Sequence, residues 1–326
     1  MKVGIVGCGL IGQKRARVLG ESRLVACADP KAERAEGLAN GCPDRPAVLT
    51  DWRALVERSD VEAVIVATPH NVLAEVTLGA IAAGKDVLVE KPAAAKSREL
   101  DPVILAARRS GAVVRVGFNH RLHPALRKAR EITTSGGIGD LMYVRGRYGH
   151  GGRPGYDKEW RAEPAVSGGG ELVDQGVHLI DLARWFLGDF EKVQGVAQTY
   201  FWNMPVEDNG FLLLQTATGQ VALLHASWTE WKNLFSFEVF GRLGKLEITG
   251  LGGSYGTERL AHYRMLPEMG PPETTIWEYP MGDASWALEW AEFVEDVRLR
   301  RPPSASLEDA RAALAVVERV YEGTST

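Results

Sequence analysis

Cysteine is scarce in this chain: three residues in 326, Cys8, Cys27 and Cys42, all near the N-terminus. Their spacing fits neither a zinc-ligand pattern nor a disulfide framework, which predicts a reducing, cytoplasmic setting with Cys8 and Cys27 as small core residues. No apolar run approaches the ~18 residues of a membrane-spanning helix, and no charged stretch leads into an apolar segment at the start, so neither an anchor nor a leader is expected. An excess of positive charge is missing too. Lys and Arg number 38 against 42 Asp and Glu, a net charge of -4, so no nucleic-acid partner is expected. Internal repeats and low-complexity tracts are absent. What is present, 45% hydrophobic and 25% charged residues over 326 positions, suits a globular chain with room for two domains.

The first informative stretch is KVGIVGCGLIGQKRARVLG. It reads as a buried strand, Val3 to Val6, then Gly7-x-Gly9-x-x-Gly12, then a helix with apolar residues at helical spacing. That order is what a dinucleotide fingerprint requires. Gly7 permits the tight turn, Gly9 lets backbone approach a pyrophosphate, and Gly12 lets helix and strand pack closely, with the anion on the helix N-terminus. A second strand, RLVACADP, ends in Asp29, near the spacing expected of a ribose-binding acid. Its carboxylate would accept from the adenosine ribose hydroxyls and repel a 2'-phosphate, which favours NAD over NADP. Lys31 and Arg34 nearby weigh slightly the other way, or are solvated helix residues.

Strand and helix signals keep alternating through VEAVIVATP, LAEVTLGAIAAGK, DVLVEKP and AVVRVGFN, which predicts a parallel, doubly wound α/β sheet over residues 1–120. Ligands gather at the carboxyl ends of such strands. Those ends carry the glycine turn with Leu10 and Ile11, Asp29 and Pro30, Ala67, Thr68, Pro69 and His70, Glu90 to Pro92, and Asn119. From 121 to 326 the pattern changes to α+β. The helical stretch PALRKAREITTSG comes first, then strands separated by turn signals such as Thr218-Gly219 and Leu243-Gly244. Two closing helices are separated by Arg301-Pro302-Pro303.

These motifs, GIVGCGLIG, then ATPHNVLAEVTLGAIAAGKDVLVEKP, GFNHRLHP and GGGELVDQGVHLIDLARWFLGD, resemble in order and spacing the Gfo/Idh/MocA family, named for glucose-fructose oxidoreductase and inositol dehydrogenase. The resemblance covers nearly the whole chain. It implies a Rossmann domain, then a substrate domain with an open-faced, mostly antiparallel sheet used for oligomerisation as a homodimer or homotetramer. It also implies a nicotinamide cofactor on the first domain and substrate at the cleft between the two. Cofactor-binding residues would be Gly7, Gly9, Leu10, Ile11, Gly12, Asp29, Pro30, Ala67, Thr68, Pro69, His70, Glu90, Lys91 and Asn119, with Trp160 and Arg161 from a loop of the second domain. For Trp160-Arg161 a surface ion pair is the competing reading.

Lys91, in Glu90-Lys91-Pro92, corresponds to the lysine beside substrate and nicotinamide in the family. A lysine there can stabilise negative charge developing on oxygen. The bond before Pro92 is often cis in the family, and sequence leaves its isomer open. Asp174 and His178 lie four apart in a helical segment over 172–187, so they share a face, with Asp181 three further on. In isolation they would read as a helix cap and a core histidine. The resemblance places them on the substrate cleft, and His178, where sugar and dihydrodiol dehydrogenases carry Tyr, points to the polyol and sugar-nucleotide side.

The expected chemistry is interconversion of a secondary alcohol and a ketone on a sugar, inositol or nucleotide-linked sugar. His178 serves as base, Asp174 orients it or a neighbouring hydroxyl, and Lys91 stabilises the alkoxide or is itself the base. Arg121, Arg153 and Arg161 are candidates to bind a substrate phosphate or carboxylate. The HxxH of His120 and His123 lacks the further ligands of a zinc site, so no metal is expected. The glycines of GHGGRPG and SGGG mark either a flexible loop near the substrate or simple turns. A redox-assisted glycosidase and a non-catalytic NAD-binding regulatory protein are the rival classes.

Overall fold

The computed structural model describes residues 1–324. The chain divides into two units, residues 1–118 with 286–311, and residues 119–285 with the described residues from Ala312 on.

In the first unit, six strands alternate with five helices: β1 (Lys2–Val6), α1 (Leu10–Ala16), β2 (Arg23–Ala28), α2 (Ala32–Asn40), β3 (Ala47–Leu49), α3 (Trp52–Val56), β4 (Ala63–Val66), α4 (His70–Ala82), β5 (Asp86–Val89), α5 (Leu100–Ser110) and β6 (Val114–Val116). Every residue of β4, β5 and β6 is buried, as expected of a parallel sheet covered on both faces. The order is β3-β2-β1-β4-β5-β6, all pairs parallel. This is the predicted doubly wound sheet. The order in which strands are added reverses between β1 and β4, so the carboxyl ends of those two strands frame the position where such sheets bind ligands. The short edge strand β3 escaped the sequence reading because three partly exposed residues carry no periodic signal.

The second unit holds α6 (Pro124–Thr134), β7 (Leu141–Gly149), a short α7 (Pro164–Ser167), and a π-helical turn, Leu172–Gly176, that runs into α8 (Val177–Leu187). Seven strands follow: β8 (Phe190–Gln198), β9 (Asn209–Thr216), β10 (Val221–Ser227), β11 (Leu234–Gly241), β12 (Gly244–Thr249), β13 (Glu258–Arg264) and β14 (Glu273–Tyr279). The sheet order is β14-β13-β12-β11-β7-β10-β9-β8, antiparallel at every pair but β7 and β10. Alternation sets its faces: Phe235, Phe237 and Val239 of β11 are buried while the residues between them are half-buried. Helix α8 lies on the middle of this sheet. A Cβ added to Gly146 of β7 would stand 3.1 Å from Leu179 of α8 and 3.0 Å from Phe237. Buried Leu179, Ile180 and Leu182 each contribute roughly 2 kcal/mol of hydrophobic stabilisation there.

The chain closes with α9 (Ser285–Leu299) and α10 (Leu307–Thr324), broken at the predicted prolines. A single boundary after residue 120 does not describe the contacts. From Trp286 to Arg311 the chain belongs with the first unit. Trp290 and Phe293 of α9 join Val3, Ile5 and Leu24 in one core, and the Trp290 indole N–H donates to the Leu19 carbonyl at 2.9 Å. Helical spacing identifies a buried face but not what it is buried against, which is why a linear reading missed this return.

Candidate active site

The first unit brings together the glycine turn, Asp29, Ala67 to Pro69 and the turn at Glu90. Gly7 has φ of +93°, and a Cβ on it would lie 2.4 Å from the Ala67 carbonyl oxygen. A Cβ on Gly12 would lie 1.9 Å from the Gly7 oxygen, so neither site tolerates a side chain. Gly9 differs: a Cβ there would meet nothing within 4 Å. Its backbone is open to an incoming group, as a pyrophosphate site requires. Leu10 is exposed and Ile11 half-buried at the start of α1, and Pro30 is exposed. Asp29 is buried, its carboxylate accepting the Cys8 N–H at 2.9 Å on one oxygen and the Lys31 N–H at 2.9 Å on the other. An ionised carboxylate has lone pairs left for ribose hydroxyls. Lys31 and Arg34 are exposed, consistent with solvated helix residues. After β4, Ala67, Thr68 and Pro69 are half-buried, and His70 is buried at the head of α4.

After β5, the Ala93 N–H donates to the Glu90 carbonyl at 2.9 Å, closing a turn around a cis Lys91-Pro92 bond. Lys91 is half-buried. The Glu90 carboxylate goes to Arg15 at 2.6 Å, and Arg15 also pairs with Glu289 of α9 at 2.7 Å. The Arg15 guanidinium lies over the Trp286 ring at 4.4 Å. Two buried carboxylates thus share one buried cation. Glu90 therefore needs Arg15 as its partner, since a buried charge is retained only when paired.

In the second unit, Asp174 sits in the π-helical turn and accepts the Arg161 Nε–H at 2.9 Å. Arg161 also lies 3.6 Å from Glu159 and over the Trp160 ring at 4.6 Å. Asp174 holds the Arg161 guanidinium above its ordinary range, against the opposing effect of burial. The segment expected as one helix over 172–187 is therefore a π-turn followed by α8. Single π-turns are frequent at functional sites. His178, on the first turn of α8, packs edge-on against His120, with ring centroids 3.8 Å apart. Tyr148 of β7 meets His120 edge-on at 5.1 Å. Its phenol hydrogen-bonds Tyr255, and burial first, then Tyr255, Glu171 and Asp174, push its ionisation well above the usual range. Tyr148 is thus a neutral donor. Gln175 also bonds the Tyr255 oxygen.

The remaining expected residues have partners of their own. Asn119 donates to the Ser285 hydroxyl at 2.8 Å. Arg121 is buried in a two-pronged pair with Asp181, at 2.8 and 2.5 Å. His123 pairs with Glu258 at 2.8 Å. Arg153 is exposed and pairs with Glu159. Among the described residues, no group of three or more His, Cys, Asp and Glu is arranged to hold a metal ion, and no helix is long and apolar enough to cross a membrane.

Residues 1–118 match the family model described as oxidoreductase family, NAD-binding Rossmann fold, and residues 126–247 match the GFO/IDH/MocA C-terminal domain. A relative, 1,5-anhydro-D-fructose reductase of Ensifer adhaerens, is 33% identical over 74% of either chain. The chain belongs to the Gfo/Idh/MocA oxidoreductase family. Residues 1–118 are this family's NAD-binding domain. Levoglucosan dehydrogenase of Pseudarthrobacter phenanthrenivorans is 29% identical over 67% of this chain, an alignment that spans 59% of that relative's length. A solved levoglucosan dehydrogenase in complex with NADH shares the fold, with TM-score 0.89 at 22% identity, covering 100% of this chain and 97% of the other.

Sequence reasoning missed Tyr148, Tyr255 and Gln175. Tyr148 had a signal: it shares one face of LMYVRGRYG with Val144 and Gly146 at period two. It also missed Arg15, a cation on the buried side of a helix, and Glu289, an acid set among the aromatics of SWALEWAEF.

Proposed function

We propose that this family member oxidises a secondary alcohol of an uncharged sugar or polyol to the ketone, or runs the reverse, with Lys91, Asp174 and His178 as catalytic residues. The observation that carries this reading is the Arg161–Asp174 pair at 2.9 Å, one turn before His178 in a π-turn. It braces an acid that lies four residues ahead of an imidazole, where the π-turn runs into a buried helix. Bound NAD supplies the hydride acceptor. His178 takes the hydroxyl proton as general base, since its ordinary pKa is nearest neutrality. Asp174, braced by Arg161, orients the imidazole or a substrate hydroxyl. Lys91 donates to the oxygen as negative charge develops on it. Asp29, with two backbone N–H groups already on its carboxylate, supports NAD over NADP. The open backbone at Gly9 takes the pyrophosphate, in a turn that Gly7 and Gly12 allow by their close packing.

An uncharged substrate is favoured because the three candidate anion-binding arginines all have carboxylate partners: Arg121 on Asp181, Arg153 on Glu159 and Arg161 on Asp174. A self-associating chain is supported by the outer face of β8 to β10, where Val196, Phe211, Leu213 and Leu223 are exposed side by side. NADH absorbance should rise with inositols, free aldoses, levoglucosan or 1,5-anhydro sugars, and not with sugar phosphates or nucleotide sugars. Lys91→Ala and His178→Ala should each lower kcat by about 10²- to 10⁴-fold. Full activity in both variants would sink the site assignment. Glycoside cleavage without net NADH would favour the redox-assisted glycosidase, and NADH binding without any turnover would favour a regulatory protein.

A further inference from the structure

We propose that Glu207 and Tyr321 are positioning residues for Asp174 and His178: Glu207 holds three successive backbone N–H groups at the head of the π-helical turn, and the Tyr321 hydroxyl holds the Glu207 carboxylate. Their effect on turnover rests on the reaction proposed above; their effect on the geometry of the turn does not. The Gly170 N–H donates to one carboxylate oxygen of Glu207 at 3.0 Å, and the Leu172 N–H to the other at 3.0 Å. Between them, the Glu171 N–H donates to the Glu207 backbone carbonyl at 3.0 Å. Tyr321 of α10 donates its hydroxyl to the carboxylate at 2.7 Å.

The first N–H groups of any helical segment have no partner within it. Here three in a row are satisfied by one residue that lies outside the helix. A carboxylate at a helix head also gains from the positive end of the dipole. The first bond past this cradle runs from the Asp174 N–H to the Gly170 carbonyl at 3.0 Å. A shift of residues 170–172 is therefore passed directly to Asp174 and, through the turn, to His178.

The glycine run explains itself in the same terms. A Cβ on Gly170 would stand 2.0 Å from the Glu207 carbonyl oxygen, and one on Gly169 would stand 2.1 Å from the Tyr321 hydroxyl. These glycines allow close approach to the two positioning residues. The next residue, Asp208, secures the cradle from its far side: its carboxylate accepts the N–H groups of Tyr200, Phe201 and Trp202, and its carbonyl accepts the Trp228 N–H at 2.8 Å. Glu207 is buried, and burial pushes its carboxyl upward against the pull of the Tyr321 hydroxyl and the backbone donors.

The test uses the full chain with nitrogen-labelled histidines, the His178 signal assigned by its loss in His178→Gln. Glu207→Gln keeps the side-chain shape but offers one acceptor oxygen in place of two, and Tyr321→Phe keeps the ring against Gly169. In both, the His178 imidazole shifts should move, while those of His262 in β13 stay in place. With an active substrate, kcat should fall about tenfold with KM for NAD changed less than about twofold. Unmoved His178 signals in folded Tyr321→Phe would overturn the proposal, and that variant decides the matter if Glu207→Gln fails to fold. A wild type that turns over no sugar or polyol would sink the proposed reaction instead, and the histidine signals would still decide this inference.

Discussion

Asp29 shows what a single residue's surroundings can decide. Its two carboxylate oxygens each accept a backbone N–H, so its position after β2 is fixed before any cofactor arrives. A 2'-phosphate about 4 Å from that carboxylate would meet repulsion of about 4 kcal/mol at an effective dielectric of 20, less where water screens it. Asp29→Ser keeps an oxygen for a ribose hydroxyl and removes the charge. The ratio of NADPH to NADH affinity, read by fluorescence titration, should move toward NADPH by at least about tenfold. An unchanged ratio would remove Asp29 from the ribose site. The place of Asp29 at the end of β2, against the glycine turn, was legible from its spacing. The partners of other site residues were not. Arg161 is 13 positions from Asp174, and Arg121, read as an anion binder, is buried against Asp181 60 positions away. No local pattern records which carboxylate a guanidinium meets after a loop has folded.

At the level of elements, the return of α9 to the first unit places a titrating group behind the turn that carries Lys91. Burial pushes Glu289 up to about 7 from 4.5, with Arg15 pulling down and Glu90 pushing up. A raised folded-state pKa means that the folded chain binds more protons than the unfolded chain between those two values. The contribution of Glu289 is therefore fully present below about 4.5 and lost as pH rises through about 7. A shift of that size corresponds to something on the order of 3 kcal/mol across the window. Glu289→Gln is always neutral, so the difference in Tm between variant and wild type should grow in favour of the variant from pH 5 to pH 8. A difference that stays flat with pH would show that Glu289 does not change its protonation on folding. The acid was visible in SWALEWAEF, and its burial was inferable from the aromatics around it. Its partners were not inferable, because Arg15 lies 274 positions earlier on a helix whose apolar face was the only signal.

For the whole molecule, five of the six parallel strands of the first unit were legible, since each is a short apolar run, whereas β3, helices α2, α3 and α5, and the return of α9 were not named from the sequence. The second unit was legible as a set of alternating strands. The parallel pairing of β7 with β10 was not, because alternation fixes which face a residue takes and says nothing of the neighbouring strand. The same alternation leaves a feature that only the assembled sheet displays. Val196 is directly opposite Phe211, and Leu213 directly opposite Leu223, on one face. All four are exposed, while His225 stacks on Phe211 at 4.2 Å. Contiguous apolar surface of this kind marks an interaction site more often than a bare exterior, and closed symmetric self-association is the commonest way to cover it. The wild-type chain should sediment as a homodimer or homotetramer at micromolar concentration. Leu213→Asp with Leu223→Asp puts two charges into the centre of the patch, where a buried unpaired charge costs several kcal/mol per copy. The double variant should sediment as a smaller species with an unchanged circular dichroism spectrum. A monomeric wild type, or an assembly indifferent to both aspartates, would show that this face is not where the copies meet.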